Sequence, residues 1–128
     1  MKVGVSPITS QLIISDGSSN LYFVDPETFR VKNTLAVRED DKPVERLNEL
    51  EYVNGYVYAN VYQAPYIVKI DPESGQVKGK INLDNLLQPG DYVEGRTDVL
   101  NGIAFDSLSG NFLVTGKRWP RLYEIKLF

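Results

Sequence analysis

An internal repeat is the feature that most constrains how this chain can fold. The segment Leu-Tyr-Phe-Val-Asp-Pro-Glu-Thr at residues 21–28 recurs 46 positions later as Ile-Val-Lys-Ile-Asp-Pro-Glu-Ser at residues 67–74. A second pair, Leu-Asn-Glu-Leu-Glu-Tyr at 47–52 and Leu-Asn-Gly-Ile-Ala-Phe at 100–105, recurs at a spacing of 53. Periods of this length are typical of folds that repeat one supersecondary unit.

Each repeat unit is predicted to consist of short β-strands. Segments rich in Val, Ile, Leu, Tyr and Phe are bounded by Gly, Asn, Asp or Pro, which is the pattern of strands and turns. The predicted strands are 2–8, 11–15, 21–25 and 30–37 in the first unit, 47–53, 56–62, 66–71 and 76–83 in the second, and 99–105, 111–116 and 121–127 in the third. Each unit therefore holds about four strands.

The turns between these strands also have readable signatures. The dipeptide Asn54-Gly55 predicts a two-residue hairpin, since both residues tolerate the positive φ angles that such a hairpin needs. The two Asp-Pro-Glu-Ser/Thr segments predict turns in which the aspartate caps the backbone. Residues 84–88 are the one helical candidate, with Asp84 as the cap and Pro89 as the stop.

Units of four antiparallel strands predict an all-β fold made of β-propeller-type blades, with a meandering sandwich as the alternative. We treat residues 1–128 as a single partial β-propeller domain with blade units at about 1–37, 47–83 and 98–128. The third unit lacks a fourth strand, which leaves about two and three-quarter blades. Because propellers close with about four to eight blades, we expect open edges that oligomerisation or a missing amino-terminal half closes.

Composition excludes several classes of function. The 128 residues include no histidine and no cysteine, which rules out histidine-dependent triads, zinc sites of the usual kind and disulfide frameworks. A net charge of −3 disfavours nucleic acid as a partner. No apolar run reaches the roughly 18 residues of a membrane span, and MKVGVSPITS is no signal peptide, so the compartment is open. We expect no cofactor and identify no carboxylate cluster for a metal.

The repeat gathers unusual polar residues at one rim. Neighbouring antiparallel strands place the start of the first strand and the end of the second at the same end of a blade. Aligning the second strands makes Asp16, Tyr62 and Lys117 equivalent, and aligning the first strands makes Asn48 and Asn101 equivalent. An acid, a phenol and a cation at one repeated position predict a concave binding site shared by several blades.

Each of these residues also has a purely structural interpretation. Asn48 and Asn101 could cap the turns that enter their strands, and Asp16 could be a turn residue. Lys117 could be a solvated cation over an aromatic ring. Tyr62 could be a core aromatic whose hydroxyl reaches water.

Two charged segments are interpreted as solvated. Glu49 and Glu51 share one strand face and could act as an acid/base pair, but nothing near them in the sequence would raise one pKa. We therefore predict a polar inner face beside a wet central channel. Residues 38–42 carry charges of mixed sign and predict an exposed connection.

Five segments in order resemble the plant and bacterial glutamine cyclotransferase family. They are Leu-Asn-Glu-Leu-Glu-Tyr at 47–52, Tyr-Ala-Asn-Val-Tyr-Gln at 58–63, Ile-Val-Lys-Ile-Asp-Pro at 67–72, Asp-Val-Leu-Asn-Gly-Ile-Ala at 98–104 and Val-Thr-Gly-Lys-Arg-Trp-Pro at 114–120. The resemblance implies a five-bladed propeller, of which this chain would be the carboxy-terminal half. It also implies conversion of the amino-terminal glutamine of peptides to pyroglutamate with release of ammonia, usually in a secreted or periplasmic protein.

The resemblance also implies roles for single residues. Asn48 and Lys117 match the family's active-site asparagine and lysine, and Tyr62 stands where the family usually has tryptophan. Trp119 matches the Lys-x-Trp-Pro pattern, and we add Asp16 and Asn101 as substrate-binding candidates from the rim argument. No segment matches the motif that carries the family's acid/base glutamate.

Two functions therefore remain open from the sequence. The first is a glutaminyl-peptide cyclotransferase whose partner is a peptide or protein with an amino-terminal glutamine, the isolated chain binding without turnover. The second is a non-catalytic half-propeller that self-associates as a peptide-binding or structural module.

Overall fold

The computed structural model describes residues 2–6, 11–87, 89–95 and 97–126 of the chain. In the first unit the strands are β1 (Lys2–Ser6), β2 (Gln11–Ser15), β3 (Asn20–Val24) and β4 (Val31–Ala36). A short hairpin follows, β5 (Arg38–Glu39) and β6 (Lys42–Pro43). The second unit holds β7 (Leu47–Val53), β8 (Tyr56–Val61), β9 (Tyr66–Ile70) and β10 (Val77–Asn82), and the third holds β11 (Leu100–Asp106), β12 (Asn111–Gly116) and β13 (Tyr123–Ile125).

The strands form three antiparallel sheets in simple meander order. The sheets run β1-β2-β3-β4, β7-β8-β9-β10 and β11-β12-β13, with β5-β6 as a separate two-stranded hairpin. The first strand of the second sheet, β7, packs against both β1 and β11. Two four-stranded sheets and one sheet of three described strands, which meet through their first strands, form the blade arrangement that the repeat predicts.

Predicted and observed strands differ by at most two residues at the ends that the structure describes. Residues 7, 8 and 127, which belong to two predicted strands, lie outside the described residues. The predicted helix at 84–88 is wrong over the residues that the structure describes, because residues 84–87 form turns and bends and the 3-10 segment is Pro89–Asp91; residue 88 lies outside the described residues. Asn82 Oδ1 accepts a hydrogen bond from Asp84 N at 2.9 Å, so the backbone N–H of Asp84, the predicted cap, belongs to a turn instead.

The turn predictions are confirmed. Asn54 and Gly55 have φ angles of 52° and 86°, the left-handed pair that a two-residue hairpin requires. Asp25 Oδ1 accepts from Glu27 N at 2.8 Å, and Asp71 Oδ1 accepts from Glu73 N at 2.9 Å. These backbone hydrogen bonds favour the ionised carboxylates and lower the pKa of both aspartates.

Two apolar cores hold the sheets together, and the second sheet contributes to both. The core between the first and second sheets is largely aliphatic: Ile13, Leu21, Leu35, Val37, Leu47, Leu50, Val57, Ala59, Val61, Val68 and Ile70. The core towards the third sheet contains Val53, Tyr58, Ile67, Phe112 and Val114, with the rings of Tyr58 and Phe112 4.7 Å apart. The burial of residues 57–61 in β8 follows from its place between both cores.

The first strands of the second and third sheets carry a bulge at the same place. In β7 the pairing moves from Leu47 with Val61 to Leu50 with Ala59, and in β11 from Leu100 with Gly116 to Ile103 with Val114. Because a bulge bends the strand and re-aims a side chain, it sets the direction of the residues at the rim.

The charged connection is exposed, as predicted, over residues 38–42, although β5 and β6 pair within it. Lys80 Nζ lies 3.1 Å from Glu39 Oε1 and links this hairpin to the second sheet. In the part of the chain that the structure describes, no helix has the length and apolarity needed to cross a membrane.

Candidate functional site

A depression of about 470 Å³ lies where the second sheet meets its two neighbours. Four of the six predicted site residues line it: Asp16, which follows β2; Asn48 in β7; Tyr62, which follows β8; and Lys117, which follows β12. All three repeat units thus contribute a side chain to one concavity. This is the convergence that strand alignment predicts from the sequence.

Lys117 and Tyr62 are in direct contact across the second and third units. Lys117 Nζ donates a hydrogen bond to the Tyr62 hydroxyl at 3.2 Å and lies 4.6 Å from the centre of its ring. The lysine backbone is fixed by bonds from Lys117 N to Val99 O at 2.9 Å and from Asp98 N to Lys117 O at 3.1 Å. The tyrosine therefore holds an ammonium group, with three N–H donors, at the edge of the depression.

Asn48 owes its position to the bulge and to the first sheet. Ser15, at the end of β2 and only 1% exposed, donates its hydroxyl to the Asn48 carbonyl oxygen at 2.7 Å. Among described residues, none forms a hydrogen bond with the Asn48 carboxamide. The turn-capping interpretation is therefore wrong for Asn48, which lines the depression instead.

Asp16 combines a turn role with its place in the lining. Its Oδ1 accepts hydrogen bonds from the backbone N–H and hydroxyl of Ser18, and its Oδ2 accepts from the Tyr22 hydroxyl at 3.1 Å. These bonds, the Ser18 hydroxyl foremost, lower the pKa of the Asp16 carboxyl. The group is an anion at neutral pH and a weak proton acceptor.

Asn101 departs from the predicted shared rim. It occupies the bulge of β11, but its carboxamide oxygen is buried and has no hydrogen-bond partner among the described residues. The neighbouring Gly102 N donates to Asn60 Oδ1 at 3.0 Å. Asn101 therefore lies outside the depression lined by Asn48, because β11 turns this side chain into the protein.

Trp119 also lies outside that depression and packs. Its Nε1 donates to Asp98 O at 2.7 Å, and its ring meets Tyr123 edge to face at 6.1 Å. The indole covers Gly116, where even a Cβ atom would collide with it. It borders a separate depression of about 210 Å³.

The two glutamates of β7 do not line the site, yet one has an unexpected environment. Burial raises the pKa of the Glu51 carboxyl. Glu51 is paired with Tyr58, so both side chains lie on the face that packs towards the third sheet. The prediction that nothing raises a pKa here is wrong, because the apolar neighbours come from a distant part of the chain.

The sequence argument missed two lining residues, Arg46 and Gln63. Arg46 Nη1 donates to Gln63 Oε1 at 2.8 Å, and both residues line the depression. Both have left-handed backbones, with φ angles of 63° and 67°. The sequence signal that could have identified Gln63 was its position, because it directly follows Tyr62 as Gly17 follows Asp16.

Within the described ranges, no three histidine, cysteine, aspartate or glutamate side chains are grouped as a metal site would require. The depression therefore offers two cations, Lys117 beside a phenol and Arg46, together with two carboxamides and one hydrogen-bonded carboxylate. Such a set can bind a polar, amide-containing ligand by hydrogen bonds and can stabilise developing negative charge.

Comparison with known proteins agrees with this fold and this set of motifs. The profile described as glutamine cyclotransferase matches residues 3–127. Glutaminyl-peptide cyclotransferase of Arabidopsis thaliana is 45% identical over 126 residues, which cover 97% of this chain and 39% of the plant protein.

Solved structures agree with these two sequence matches. The crystal structure of Myxococcus xanthus glutaminyl cyclase superposes with a TM-score of 0.82 at 39% identity, over 91% of this chain and 50% of that one. Saccharomyces cerevisiae Sqt1 shares the fold alone, with a TM-score of 0.52 at 14% identity over 98% of this chain and 31% of that one.

The chain thus spans half or less of the length of these proteins. The prediction of an all-β, propeller-type arrangement of four-stranded antiparallel blades is confirmed. The chain belongs to the glutamine cyclotransferase family.

Proposed function

We propose that the depression is part of a site that converts the amino-terminal glutamine of a peptide or protein to pyroglutamate. The substrate's neutral α-amine attacks the carbon of its own γ-carboxamide, and a C–N bond forms. The carboxamide oxygen becomes an oxyanion. The original bond to the amide nitrogen then breaks, and ammonia leaves after the attacking nitrogen has lost one proton and the departing nitrogen has gained one.

The single observation that carries this proposal is the convergence of Asn48 and Tyr62, from the second unit, with Lys117, from the third, on one depression. The Lys117 ammonium, held by the Tyr62 hydroxyl, supplies positive charge where the oxyanion develops. The Asn48 carboxamide, which no described side chain engages, can donate to the substrate oxygen or accept from its amide. Membership of the family supports these roles without assigning them.

Proton transfer needs a further group. Asp16 is the only carboxylate in the described lining, and its hydrogen bonds with Ser18 and Tyr22 lower its pKa. A general base or acid works best with a pKa near the operating pH, so Asp16 is poorly suited. We propose that the acid/base group comes from beyond these lining residues, and that the chain by itself binds substrate with slow turnover.

The decisive experiment measures binding and ammonia release together. A glutamine-initiated peptide should bind saturably to the chain and shift the NMR signals of Asn48, Tyr62 and Lys117. Ammonia and pyroglutamate should appear slowly, and faster in proportion to added imidazole, which substitutes for an absent group worth a factor of about 100 to 10,000. Absence of saturable binding would overturn the site.

A matched pair of variants assigns the activity to the depression. Lys117→Met should lower the rate of ammonia release about 100-fold to 1,000-fold, the usual effect of losing one oxyanion-stabilising donor. Lys42→Met, a change to an exposed lysine of the charged hairpin, should leave the rate unchanged. Equal rates for the two variants would remove Lys117 from the mechanism.

A non-catalytic, self-associating module is the second candidate, favoured by exposed apolar side chains. Leu108 is 97% and Leu122 is 63% exposed, and Tyr92 and Val93 are exposed in the segment that leads into the third sheet. Exposed apolar side chains of this kind suit contact with a second copy or with another half-propeller. Light scattering tests it, since a stable monomer at micromolar concentration argues against association, and peptide binding without ammonia even in imidazole argues against catalysis.

A further inference from the structure

A repeated backbone conformation marks the rim of the depression. The residue directly after the rim position is left-handed in every unit: Gly17 with φ 87°, Gln63 with φ 67° and Arg118 with φ 60°. Glycine adopts this conformation without steric cost, whereas glutamine and arginine do not. The first unit uses the favourable residue, so the backbone geometry alone gives no reason for a glutamine at 63.

Arg46 repeats this unfavourable choice on the neighbouring segment. Its φ is 63°, its N–H donates to Gly17 O at 3.1 Å, and its carbonyl accepts from Tyr62 N at 2.7 Å. These backbone bonds would serve any residue at this position, glycine included. Arg46 and Gln63 are thus both held in strained conformations in the lining of the depression, and strained residues of this kind concentrate at functional sites.

The two side chains are joined to each other. Arg46 Nη1 donates to Gln63 Oε1 at 2.8 Å, and both residues are exposed. An exposed hydrogen bond contributes little to folding, so it does not offset two left-handed side-chain-bearing residues. It does, however, orient the guanidinium, whose five N–H donors match the two oxygens of a carboxylate.

We propose that Arg46, oriented by Gln63, is a specificity residue that binds a carboxylate on the peptide residue following the amino-terminal glutamine. This inference rests on the proposed function, in which Asn48 and Lys117 hold the glutamine side chain. The rest of the peptide then leaves the depression past Arg46 and Gln63, two further polar side chains of its lining. The carboxylate is either the carboxy terminus of a dipeptide or the side chain of an acidic second residue.

Three dipeptides separate these sources when titrated against the whole chain by calorimetry. Gln-Ala has a terminal carboxylate, Gln-Glu-amide has one on its side chain, and Gln-Ala-amide has none. We expect the preferred carboxylate-bearing peptide to bind about tenfold more tightly than Gln-Ala-amide, a modest ratio because the guanidinium is exposed. The ranking of the first two identifies the source.

Matched arginine variants test whether Arg46 causes the preference. Arg46→Asn keeps a residue that tolerates the left-handed backbone, and it should bring all three affinities to that of Gln-Ala-amide. Arg118→Asn removes the other left-handed arginine, which does not line the depression, and should leave the tenfold ratio intact. A preference that survives Arg46→Asn, or that both variants lose equally, overturns the assignment.

A variant of Gln63, the hydrogen-bond partner of Arg46, tests the strain argument. Gln63→Gly should keep Tm at or above the parental value, because the backbone relaxes, while the carboxylate preference falls severalfold. A lower Tm with an intact preference would show that Gln63 serves the fold, which overturns its orienting role. Failure of the proposed function looks different: the parental chain would bind none of the three peptides, and both proposals would fall together.

Discussion

Two strands of this protein begin with the same Leu-Asn pair and carry the same bulge, yet their asparagines have different surroundings. In β7, Asn48 borders the depression, and its carbonyl is held by the Ser15 hydroxyl of the preceding unit. In β11, the carboxamide oxygen of Asn101 is buried, and the bulge is held through Gly102 N by Asn60 Oδ1 of the preceding unit.

The difference lies in the residue after each asparagine and in the neighbours it meets. Gly102 has a φ of 133°, and a Cβ there would press on Thr115 Cγ2 at 3.1 Å. Glu49 occupies the equivalent place in β7. The repeat therefore preserves the bulge in the backbone, while the adjoining unit decides whether the asparagine side chain lines a site or is buried.

The largest effect should come from removing each asparagine in turn. Asn48→Ala should lower the rate of ammonia release about 100-fold, within the range for one lost polar contact to the transition state. Asn101→Ala should change that rate less than about threefold, since its carboxamide does not reach the depression. Rates measured at saturating peptide check this, and a matching loss in both variants would break the contrast between the strands.

The next effect concerns the two groups that hold the bulges. Asn60 is 0% exposed, so Asn60→Ala opens a buried void and leaves the Gly102 N–H without its hydrogen-bond acceptor. We expect a loss of about 2–3 kcal/mol in the free energy of unfolding. Ser15→Ala removes one donor to a carbonyl and should cost about 1 kcal/mol. Urea unfolding with unchanged m-values tests the order, and an equal cost for both would show that the two bulges are held alike.

The smallest effect is the part of the pH dependence of stability that arises from Glu51 in β7. Burial raises the pKa of Glu51 in the folded protein above its ordinary value of 4.5, so the folded state binds this proton more tightly than the unfolded state does. The resulting stability is present below pH 4.5 and is lost as pH rises through the folded pKa. Glu51→Gln should flatten that decline and gain relative stability at pH 7.

Denaturant titrations at pH 4 and pH 7 check this prediction. The hydrogen-bonded turn aspartates, Asp25, Asp71 and Asp106, have lowered pKa values and act in the opposite direction, below pH 3.8. They are common to both proteins, so the difference between parent and variant isolates Glu51. An identical pH profile for the two would contradict the burial of this carboxyl.

Much of the fold was predictable because its signals are local. Strand limits follow from alternating apolar residues between turn residues, and the turns at Asn54-Gly55, Asp25 and Asp71 follow from side chains that bond their own backbone. The helix at 84–88 was expected from a capping residue followed by a proline, but that pattern is equally compatible with consecutive turns. Here the Asn82 side chain accepts the hydrogen bond of the Asp84 backbone N–H and so favours a turn.

The candidate site was predictable only in part. Strand alignment brought Asp16, Asn48, Tyr62 and Lys117 to one place, since repeated units share a scaffold. It misplaced Asn101, and it overlooked Arg46 and Gln63, which are distinguished by left-handed backbone angles and by a hydrogen bond between their side chains.

The amino-acid sequence by itself determined the repeat, the strands, their turns and the family, because each depends on residues close together or on motifs in fixed order. Only the tertiary structure decided which residues at matching positions of the repeat also have the same surroundings. Whether a carboxamide is open or enclosed, and whether the pKa of Glu51 rises, depends on side chains that a neighbouring unit packs against it. Burial is a property of the assembled sheets, and no single unit of the repeat carries it.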